Sequence, residues 1–190
     1  MNIQMAFYFD QSRCIGCYTC SIACKDWHDI KAGPANWRIV TSSEWGAYPK
    51  VFLTYLSLSC NHCENPACVT ACPVSTIVKR EEDGIIVVNR QECLGSNICD
   101  MLCEKACPYS VPQFGDEEGA KMQMCTFCLE RLAENKKPIC VEACPMRALD
   151  AGPIDELKAK YGDLKEVEGF TYSEETKPSI IFKPRYNVIP

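Results

Sequence analysis

The sequence predicts a small α+β protein in which short hairpins and helices surround repeated groups of cysteines. Sixteen of its 190 residues are cysteine, a proportion far above ordinary usage. These cysteines fall into four motifs, and three of the motifs end in a Cys-Pro pair. The apolar runs between the motifs are short and bounded by turn residues, and none has the length of a membrane-spanning helix.

The second motif shows the spacing most clearly. Its members are Cys60, Cys63, Cys68 and Cys72, and a proline follows the last. Three thiolates on one tight loop, with a fourth cysteine further on, suit a cubane [4Fe–4S] cluster. Because the chain turns away at the proline, the fourth cysteine typically ligates a different cluster. The motif therefore predicts companion motifs that lend a fourth ligand in return.

The first motif lies near the N-terminus, after an aromatic-rich apolar segment at residues 4–9 that predicts a strand. Its cysteines, at C-x2-C-x2-C-x3-C spacing, are Cys14, Cys17, Cys20 and Cys24. We expect Gly16 where the backbone passes close to sulfide and donates its N–H. The fourth cysteine should sit on the first turns of a helix that runs to about His28, although lysine rather than proline follows it.

The segment between these two motifs contains two breaks, Gly33-Pro34 and Tyr48-Pro49. We expect a loop at residues 29–50 with an extended piece at 37–41, followed by a strand at 51–59. The tryptophans in and near this loop are interpreted as packing or subunit contacts.

The segment after the second motif predicts a hairpin. Asp83-Gly84 lies between the apolar runs 76–79 and 85–88, and Asp-Gly between two such runs is a strong turn signal. A hairpin between two four-cysteine motifs is the layout of bacterial ferredoxins. Motifs repeated at roughly regular intervals are therefore the dominant organisation of the chain.

The third motif is irregular, and its cysteines are Cys93, Cys99, Cys103 and Cys107. Counting forward from Cys93 places Ser96 at a ligand position and leaves Cys107 spare, so that this cluster would be [3Fe–4S] or serine-ligated. Counting backward from the Cys107-Pro108 pair makes Cys107 the departing fourth ligand and places an insertion in the preceding loop. We favour the backward count because it uses all 16 cysteines.

The fourth motif and the C-terminal region complete the sequence. The cysteines of this motif are Cys125, Cys128, Cys140 and Cys144. We expect helices at 129–135 and at 153–164, where a proline begins a stretch with apolar residues at helical spacing. The last twenty residues should be extended and should lie either on a partner subunit or on the protein's own core. We predict that residues 165–190 bind a catalytic subunit, because Ile180, Ile181, Phe182, Val188 and Ile189 would otherwise be exposed.

Composition excludes several function classes. No basic region followed by an apolar run marks a signal peptide, which argues against a secreted disulfide scaffold. Structural zinc usually uses two separated Cys-x-x-Cys pairs and needs no terminal Cys-Pro. The formal charge is −5, and four cubanes of about −2 each would take the total to roughly −13. So acidic a protein is a poor nucleic-acid binder.

Two segments carry a resemblance to a known family. They read Ser-Cys-Asn-His-Cys-Glu-Asn-Pro-Ala-Cys at residues 59–68 and Lys-Pro-Ile-Cys-Val-Glu-Ala-Cys-Pro-Met-Arg-Ala-Leu-Asp at residues 137–150. Both resemble the iron–sulfur subunit of dimethyl sulfoxide reductase and its relatives. Residues 152–157 and the Lys-Pro-containing tail extend the resemblance over nearly the whole chain.

The resemblance implies an α+β fold of two pseudo-symmetric bacterial-ferredoxin-like halves that hold four [4Fe–4S] clusters. Residues 1–50 with 116–152 would form an outer half from motifs one and four. Residues 51–115 would form an inner half from motifs two and three, and 153–190 a C-terminal helix and extended tail. The implied ligand sets are Cys14, Cys17 and Cys20 with Cys144; Cys125, Cys128 and Cys140 with Cys24; Cys60, Cys63 and Cys68 with Cys107; and, on the backward count, Cys93, Cys99 and Cys103 with Cys72.

The resemblance also implies an electron-transfer subunit of a molybdenum or tungsten oxidoreductase. Such subunits dock on a large subunit with a bis-pterin cofactor, often with a membrane subunit that handles quinol. The alternatives are a four-cluster subunit of a hydrogenase or formate-oxidising complex, a free-standing polyferredoxin and a zinc-based interaction module. With no signal peptide or membrane span expected, the protein would be cytoplasmic, or exported folded with a signal-bearing partner and membrane-associated through the complex.

The sequence contains no catalytic constellation, so chemistry on a substrate is expected to belong to another subunit. Only two histidines are present. His62 is expected to face solvent or a partner; the alternative is that it hydrogen-bonds a sulfur or titrates beside the cluster. Neither histidine has the context of a Rieske ligand.

Overall fold

A computed structural model describes residues 3–186 of the chain. Its strands are β1 (Met5–Asp10), β2 (Ile39–Ala47), β3 (Lys50–Leu58), β4 (Ile77–Lys79), β5 (Ile86–Val88), β6 (Leu149–Pro153) and β7 (Ile180–Lys183). Its helices are α1 (Thr19–Trp27), α2 (Ala67–Ala71), α3 (Ser96–Cys99), α4 (Leu102–Lys105), α5 (Leu129–Ala133), α6 (Ile139–Glu142) and α7 (Ile154–Tyr161). Helices α2 to α6 have only four or five residues each and lie within cysteine motifs.

A three-stranded sheet with the order β6-β1-β7 organises the fold. β1 runs antiparallel to β6 and parallel to β7. One face of β1 packs Phe7 and Phe9 into the main core, which also contains most of the buried cysteines. The other face packs Tyr8 against Tyr161 of α7, with ring centroids 3.7 Å apart. A strand that is buried on both faces needs apolar residues at every position, which explains the continuous apolar run of β1. The strand expected at residues 4–9 is confirmed.

β2 and β3 form a long antiparallel hairpin in which Ile39 lies opposite Leu58 and Ala47 opposite Lys50. The strand expected at 51–59 is confirmed. The loop expected at 29–50 is wrong over residues 39–47, where a full strand replaces the short extended piece. Most of β2 is exposed, so its sequence lacks apolar alternation, and the pairing with β3 satisfies its backbone instead.

The hairpin expected at residues 76–88 is confirmed as β4 and β5. In its turn, the Gly84 N–H donates to the Arg80 carbonyl at 3.0 Å, and the Ile85 N–H donates to the Asp83 carboxylate at 3.0 Å. The helices expected after Cys128 and after Gly152 are confirmed as α5 and α7.

The C-terminal region packs on the protein's own core, which is one of the two alternatives that the sequence left open. Ile180, Ile181 and Phe182 form β7, and each is at most 4% exposed. They are buried because β7 adds a parallel strand to the free edge of β1, which satisfies the backbone and places the side chains in the core. The prediction that these three residues would be exposed without a partner is therefore wrong. Val188 and Ile189 lie outside the described residues.

The observed mixture of short helices and small sheets agrees with the predicted α+β class. Between residues 3 and 186, no helix is long and apolar enough to cross a membrane.

Candidate iron–sulfur sites

The four cysteine loops share one backbone feature, and in two of them it directs an N–H group at sulfur. The residue two positions after the first cysteine of each motif has a positive φ; these residues are Gly16 (67°), His62 (44°), Gly95 (90°) and Phe127 (59°). The His62 N–H donates to Cys60 Sγ at 3.4 Å, and the Phe127 N–H donates to Cys125 Sγ at 3.4 Å. Hydrogen bonds to sulfur of this kind set the potentials of iron–sulfur clusters.

Gly16 is required by packing as well as by its backbone conformation. Burial raises the pKa of the Cys14 thiol, and the neighbouring Gly16 N–H acts against this rise. The donation of this N–H to cluster sulfide stays a prediction. A Cβ atom at this position would lie 2.3 Å from Cε1 of Tyr55 on β3. The first cysteine loop therefore lies directly against the β2–β3 hairpin, and a side chain at Gly16 would push the two apart.

We expect Gly16→Ala to lower the iron content of the protein. The left-handed conformation costs an L-residue roughly 1–2 kcal/mol, and the contact with Tyr55 adds a steric penalty at the loop that carries Cys14 and Cys17. Gly119→Ala is the matched control. Gly119 has a similar φ of +68°, but a Cβ atom at this position would have no neighbouring atom within 4 Å. Iron per chain measured after anaerobic purification should fall only for Gly16→Ala, and an equal iron content in both variants would contradict this account.

The structure brings the cysteines into four groups, each with three thiols from one motif and one from another. Thiol group 1 contains Cys14, Cys17, Cys20 and Cys144. Thiol group 2 contains Cys24, Cys125, Cys128 and Cys140. Thiol group 3 contains Cys60, Cys63, Cys68 and Cys107. Thiol group 4 contains Cys72, Cys93, Cys99 and Cys103, which line one cavity.

The position of Cys107 bears on the irregular third motif. Burial raises the pKa of the Cys63 thiol to about 11 and that of Cys68 to about 12, and the next largest cause in both cases is the neighbouring Cys107. Ser96 begins α3, where its hydroxyl donates to the Asn97 side chain at 3.3 Å. Ser96 is absent from the lining of the cavity of thiol group 4, whereas Cys99 is part of it.

The four thiol groups neighbour one another in the order 1, 2, 3, 4. The thiols that influence one another electrostatically across neighbouring groups are Cys20 with Cys140, Cys60 with Cys125, and Cys68 with Cys103. All four thiols of group 2 are buried, whereas group 1 includes the exposed Cys17 and groups 3 and 4 include half-buried thiols such as Cys63 and Cys99.

Several polar residues near the thiols have no motif that marks them in the sequence. Arg38 is 2% exposed and lies among the cysteines of thiol groups 1 and 2. Ser57 Oγ lies 3.3 Å from Cys20 Sγ, and His28 Nε2 lies 3.3 Å from Cys128 Sγ. The alternating pattern of β3 is a sequence signal that could have placed Ser57 on the buried face of the strand. Arg38 has no such signal, because it reaches that face only when β2 pairs with β3.

His62 does not face solvent, which corrects the expectation from the sequence. It is 0% exposed, and its Nδ1 accepts a hydrogen bond from the Ile86 N–H at 3.0 Å. Burial, followed by the positive charges of Lys79 and Arg38, lowers the pKa of His62 to about 3. The residue is therefore a neutral core side chain that fixes the second cysteine loop to the β4–β5 hairpin.

The tryptophans make packing contacts, as interpreted from the sequence. Trp37 Nε1 donates to Gln123 Oε1 at 3.0 Å, and Trp27 Nε1 donates to Glu130 Oε1 at 2.7 Å. Trp45 stacks on Phe52 of β3, with ring centroids 5.9 Å apart. None of these contacts involves a cysteine.

The residues present fit iron–sulfur clusters. Each thiol group offers four sulfur donors, and all 16 cysteines are free thiols. Burial raises the pKa of the Cys24 thiol, and the thiols of Cys125, Cys140 and Cys128 raise it further, against the lowering effect of Arg38. Buried thiols packed this closely would repel one another as thiolates, and bound metal cations remove that repulsion.

Comparison with known proteins agrees with this chemistry. The model of the 4Fe-4S dicluster domain family matches residues 51–154. The sequence is 46% identical to the B subunit of anaerobic dimethyl sulfoxide reductase from Escherichia coli strain K12 over 197 aligned residues, which cover 100% of this sequence and 93% of that protein. The protein belongs to the family of dimethyl sulfoxide reductase iron–sulfur subunits.

Other members of the family extend the comparison. The sequence is 40% identical to the B subunit of anaerobic dimethyl sulfoxide reductase from Haemophilus influenzae, with 95% of this sequence and 89% of that protein covered. It is 36% identical to a thiosulfate reductase electron transfer subunit of Salmonella typhi, with 80% of this sequence and 78% of that protein covered.

Family membership confirms the main sequence prediction. The protein is an iron–sulfur electron-transfer subunit and is not catalytic by itself. Its 16 cysteines fit four [4Fe–4S] clusters, and the ferredoxin-like fold class is confirmed at the level of the 4Fe-4S domain.

Proposed function

We propose that each of the four thiol groups binds one [4Fe–4S] cluster. The proposal is supported by the four-thiol composition of each group, by the N–H groups aimed at Cys60 and Cys125, and by the burial of most of the thiols. When bound, such clusters accept and donate single electrons. The protein supplies the sulfur ligands, excludes water and sets the charge around them.

The ligand set of the third motif follows the backward count in this proposal. Cys107 contributes to thiol group 3, and Cys93, Cys99 and Cys103 join Cys72 in thiol group 4. Ser96 is not a ligand. The support comes from the neighbouring positions of Cys107 and Cys68 and from the hydrogen bond that Ser96 makes on its own helix.

We further propose two pseudo-symmetric halves, with the outer half at residues 1–50 and 116–152 and the inner half at 51–115. In the outer half α1 packs against α6, and in the inner half α2 packs against α4. The positive φ value repeated in all four cysteine loops also supports an internal duplication. The β2–β3 hairpin crosses the boundary between the halves. We assign residues 153–190 to a C-terminal segment, in which α7 packs on the sheet and β7 forms one of its strands.

The order of the thiol groups carries the functional conclusion. Four neighbouring redox centres, with an exposed thiol in group 1 and half-buried thiols in group 4, provide the succession of short steps that an electron relay between two partners requires. We propose that one partner is a large subunit with a molybdenum or tungsten bis-pterin cofactor, in a complex that serves anaerobic respiration. The other is a membrane subunit or a soluble redox protein, and the complex is either cytoplasmic or exported folded with a signal-bearing partner.

The metal content of the native complex tests this proposal. The protein should be isolated anaerobically from cells that express its genomic neighbours, and the co-purifying subunits should be analysed for metals. We expect a large subunit with about one molybdenum or tungsten per complex. Nickel in the partner would instead indicate a hydrogenase, and a protein that purifies alone with its clusters would indicate a free-standing polyferredoxin.

A further inference from the structure

Arg38 is a buried cation with no carboxylate partner in the described part of the chain. It forms none of the ion pairs found between residues 3 and 186. A buried charge without an opposite charge is strongly destabilising. Arg131 is also buried, but it is paired with Glu142. Arg38 therefore requires another source of negative charge.

The hydrogen bonds of Arg38 hold the guanidinium in place without neutralising it. Its Nη1 donates to the Ser57 carbonyl at 3.3 Å and to Ser57 Oγ at 3.2 Å, and its Nη2 donates to Ser59 Oγ at 2.8 Å. Its Cζ lies 4.7 Å from the ring centroid of Phe7. Its Nε has no hydrogen-bond partner among the described residues.

The contacts of Arg38 reach both neighbouring thiol groups. Burial raises the pKa values of the Cys140 and Cys125 thiols of thiol group 2, and the nearby charge of Arg38 acts to lower both. Ser57 Oγ lies 3.3 Å from Cys20 Sγ in thiol group 1. Burial acts to lower the pKa of Arg38, but the Cys140, Cys20, Cys125 and Cys24 sulfurs raise it above its ordinary value. The guanidinium remains charged.

We propose that Arg38 is a positioning residue whose buried positive charge lies between thiol groups 1 and 2 and favours the reduced state of the clusters bound there. A [4Fe–4S] cluster becomes one charge more negative when it takes up an electron, and a fixed cation nearby stabilises that state. Net charge and hydrogen bonds to sulfur are recognised determinants of cluster potential. The free Nε of Arg38 is a further donor available to a bound cluster. This inference rests on the proposed ligand sets.

Variants at Arg38 test the inference when the full chain is prepared anaerobically in its complex. Arg38→Gln removes the charge and keeps polar atoms, and Arg38→Lys keeps a charge. The control is the double variant Arg131→Gln/Glu142→Gln, which removes a buried arginine together with its ion-pair partner and so leaves the net charge unchanged. Each variant is analysed for iron and titrated with dithionite while the reduced clusters are followed by electron paramagnetic resonance.

We expect Arg38→Gln to keep its iron but to lower the ratio of reduced to oxidised cluster at least tenfold at the wild-type midpoint. A tenfold change for a one-electron couple corresponds to a shift of 59 mV. The shift should affect the clusters of groups 1 and 2 and spare that of group 4. Arg38→Lys should shift less than Arg38→Gln, and the charge-conserving double variant Arg131→Gln/Glu142→Gln should not shift.

Unchanged potentials in an iron-replete Arg38→Gln variant would overturn the proposal. If Arg38→Gln loses iron, the Arg38→Lys variant shows whether a positive charge is needed at this position. Recovery of iron and near-native potentials in Arg38→Lys supports the need for a cation, whereas loss of iron in both variants shows that the shape of the guanidinium matters and rejects the role of its charge. A wild-type protein that itself contains too little iron for four clusters would instead reject the ligand sets. The iron content of the wild-type protein therefore distinguishes failure of the proposed function from failure of the Arg38 proposal.

Discussion

Replacing Cys107 with alanine is expected to damage the cluster of thiol group 3 and to remove about one to four of roughly 16 iron atoms per chain. Cys107 is the neighbouring thiol that most raises the pKa values of Cys63 and Cys68 after burial, so it lies where a fourth ligand is needed. Loss of this ligand would leave a three-cysteine site that holds either a [3Fe–4S] cluster or none. Because group 3 lies inside the row of four, we also expect electron transfer through the protein to fall sharply.

Ser96→Ala is the matched control for this experiment. Its hydroxyl bonds to Asn97 on the same short helix, so removal should cost no iron. Iron analysis combined with electron paramagnetic resonance of the oxidised protein would separate a converted cluster from a lost one. If Cys107→Ala retained every cluster and Ser96→Ala lost iron, the forward count of the third motif would be correct.

Replacing Phe182 with alanine is expected to destabilise the whole protein by about 3–5 kcal/mol. Phe182 is 1% exposed, lies opposite Phe9 in the β1–β7 pair, and packs on Phe170 with ring centroids 4.8 Å apart. Truncation after Leu164, which removes β7 altogether, should have a larger effect and release the clusters. The sequence alone instead predicts that this truncation weakens partner binding and leaves the clusters in place.

The loss of stability is measured by unfolding each protein anaerobically in guanidinium chloride. The midpoint is the denaturant concentration at which half of the visible absorbance of the clusters is lost. Val78→Ala provides the comparison, because Val78 lies on β4 and is 51% exposed, and its midpoint should be nearly native. A truncated protein that kept its native midpoint while losing only its partner would show that β7 is not part of the core.

The cysteine motifs and the turns could be predicted from the sequence because each is defined by residues that lie close together along the chain. The loop of Cys60, Cys63 and Cys68 and the Asp83-Gly84 turn each depend on a few consecutive residues. The ligand partnerships could not be derived locally, because Cys107 meets Cys68 only after the chain has folded. They were accessible only through the resemblance to a known family.

The features that the sequence did not reveal all depend on contacts between distant segments. β7 is recognisable as core only when it pairs with β1, which lies at the other end of the chain. His62 is buried because β5 covers it. Arg38 follows a stretch without apolar periodicity, and its environment arises only when the β2–β3 hairpin sets it beside Ser57 and Ser59.

Iron and acid-labile sulfide counts on the wild-type protein test the central claim most directly. The measurement requires anaerobically prepared protein, a protein concentration from amino-acid analysis, and a parallel zinc determination. Four complete [4Fe–4S] clusters predict about 16 iron atoms and about 16 sulfides per chain, with no stoichiometric zinc. Fewer than about 12 iron atoms, or zinc bound in stoichiometric amounts, would contradict the assignment of all four thiol groups to such clusters.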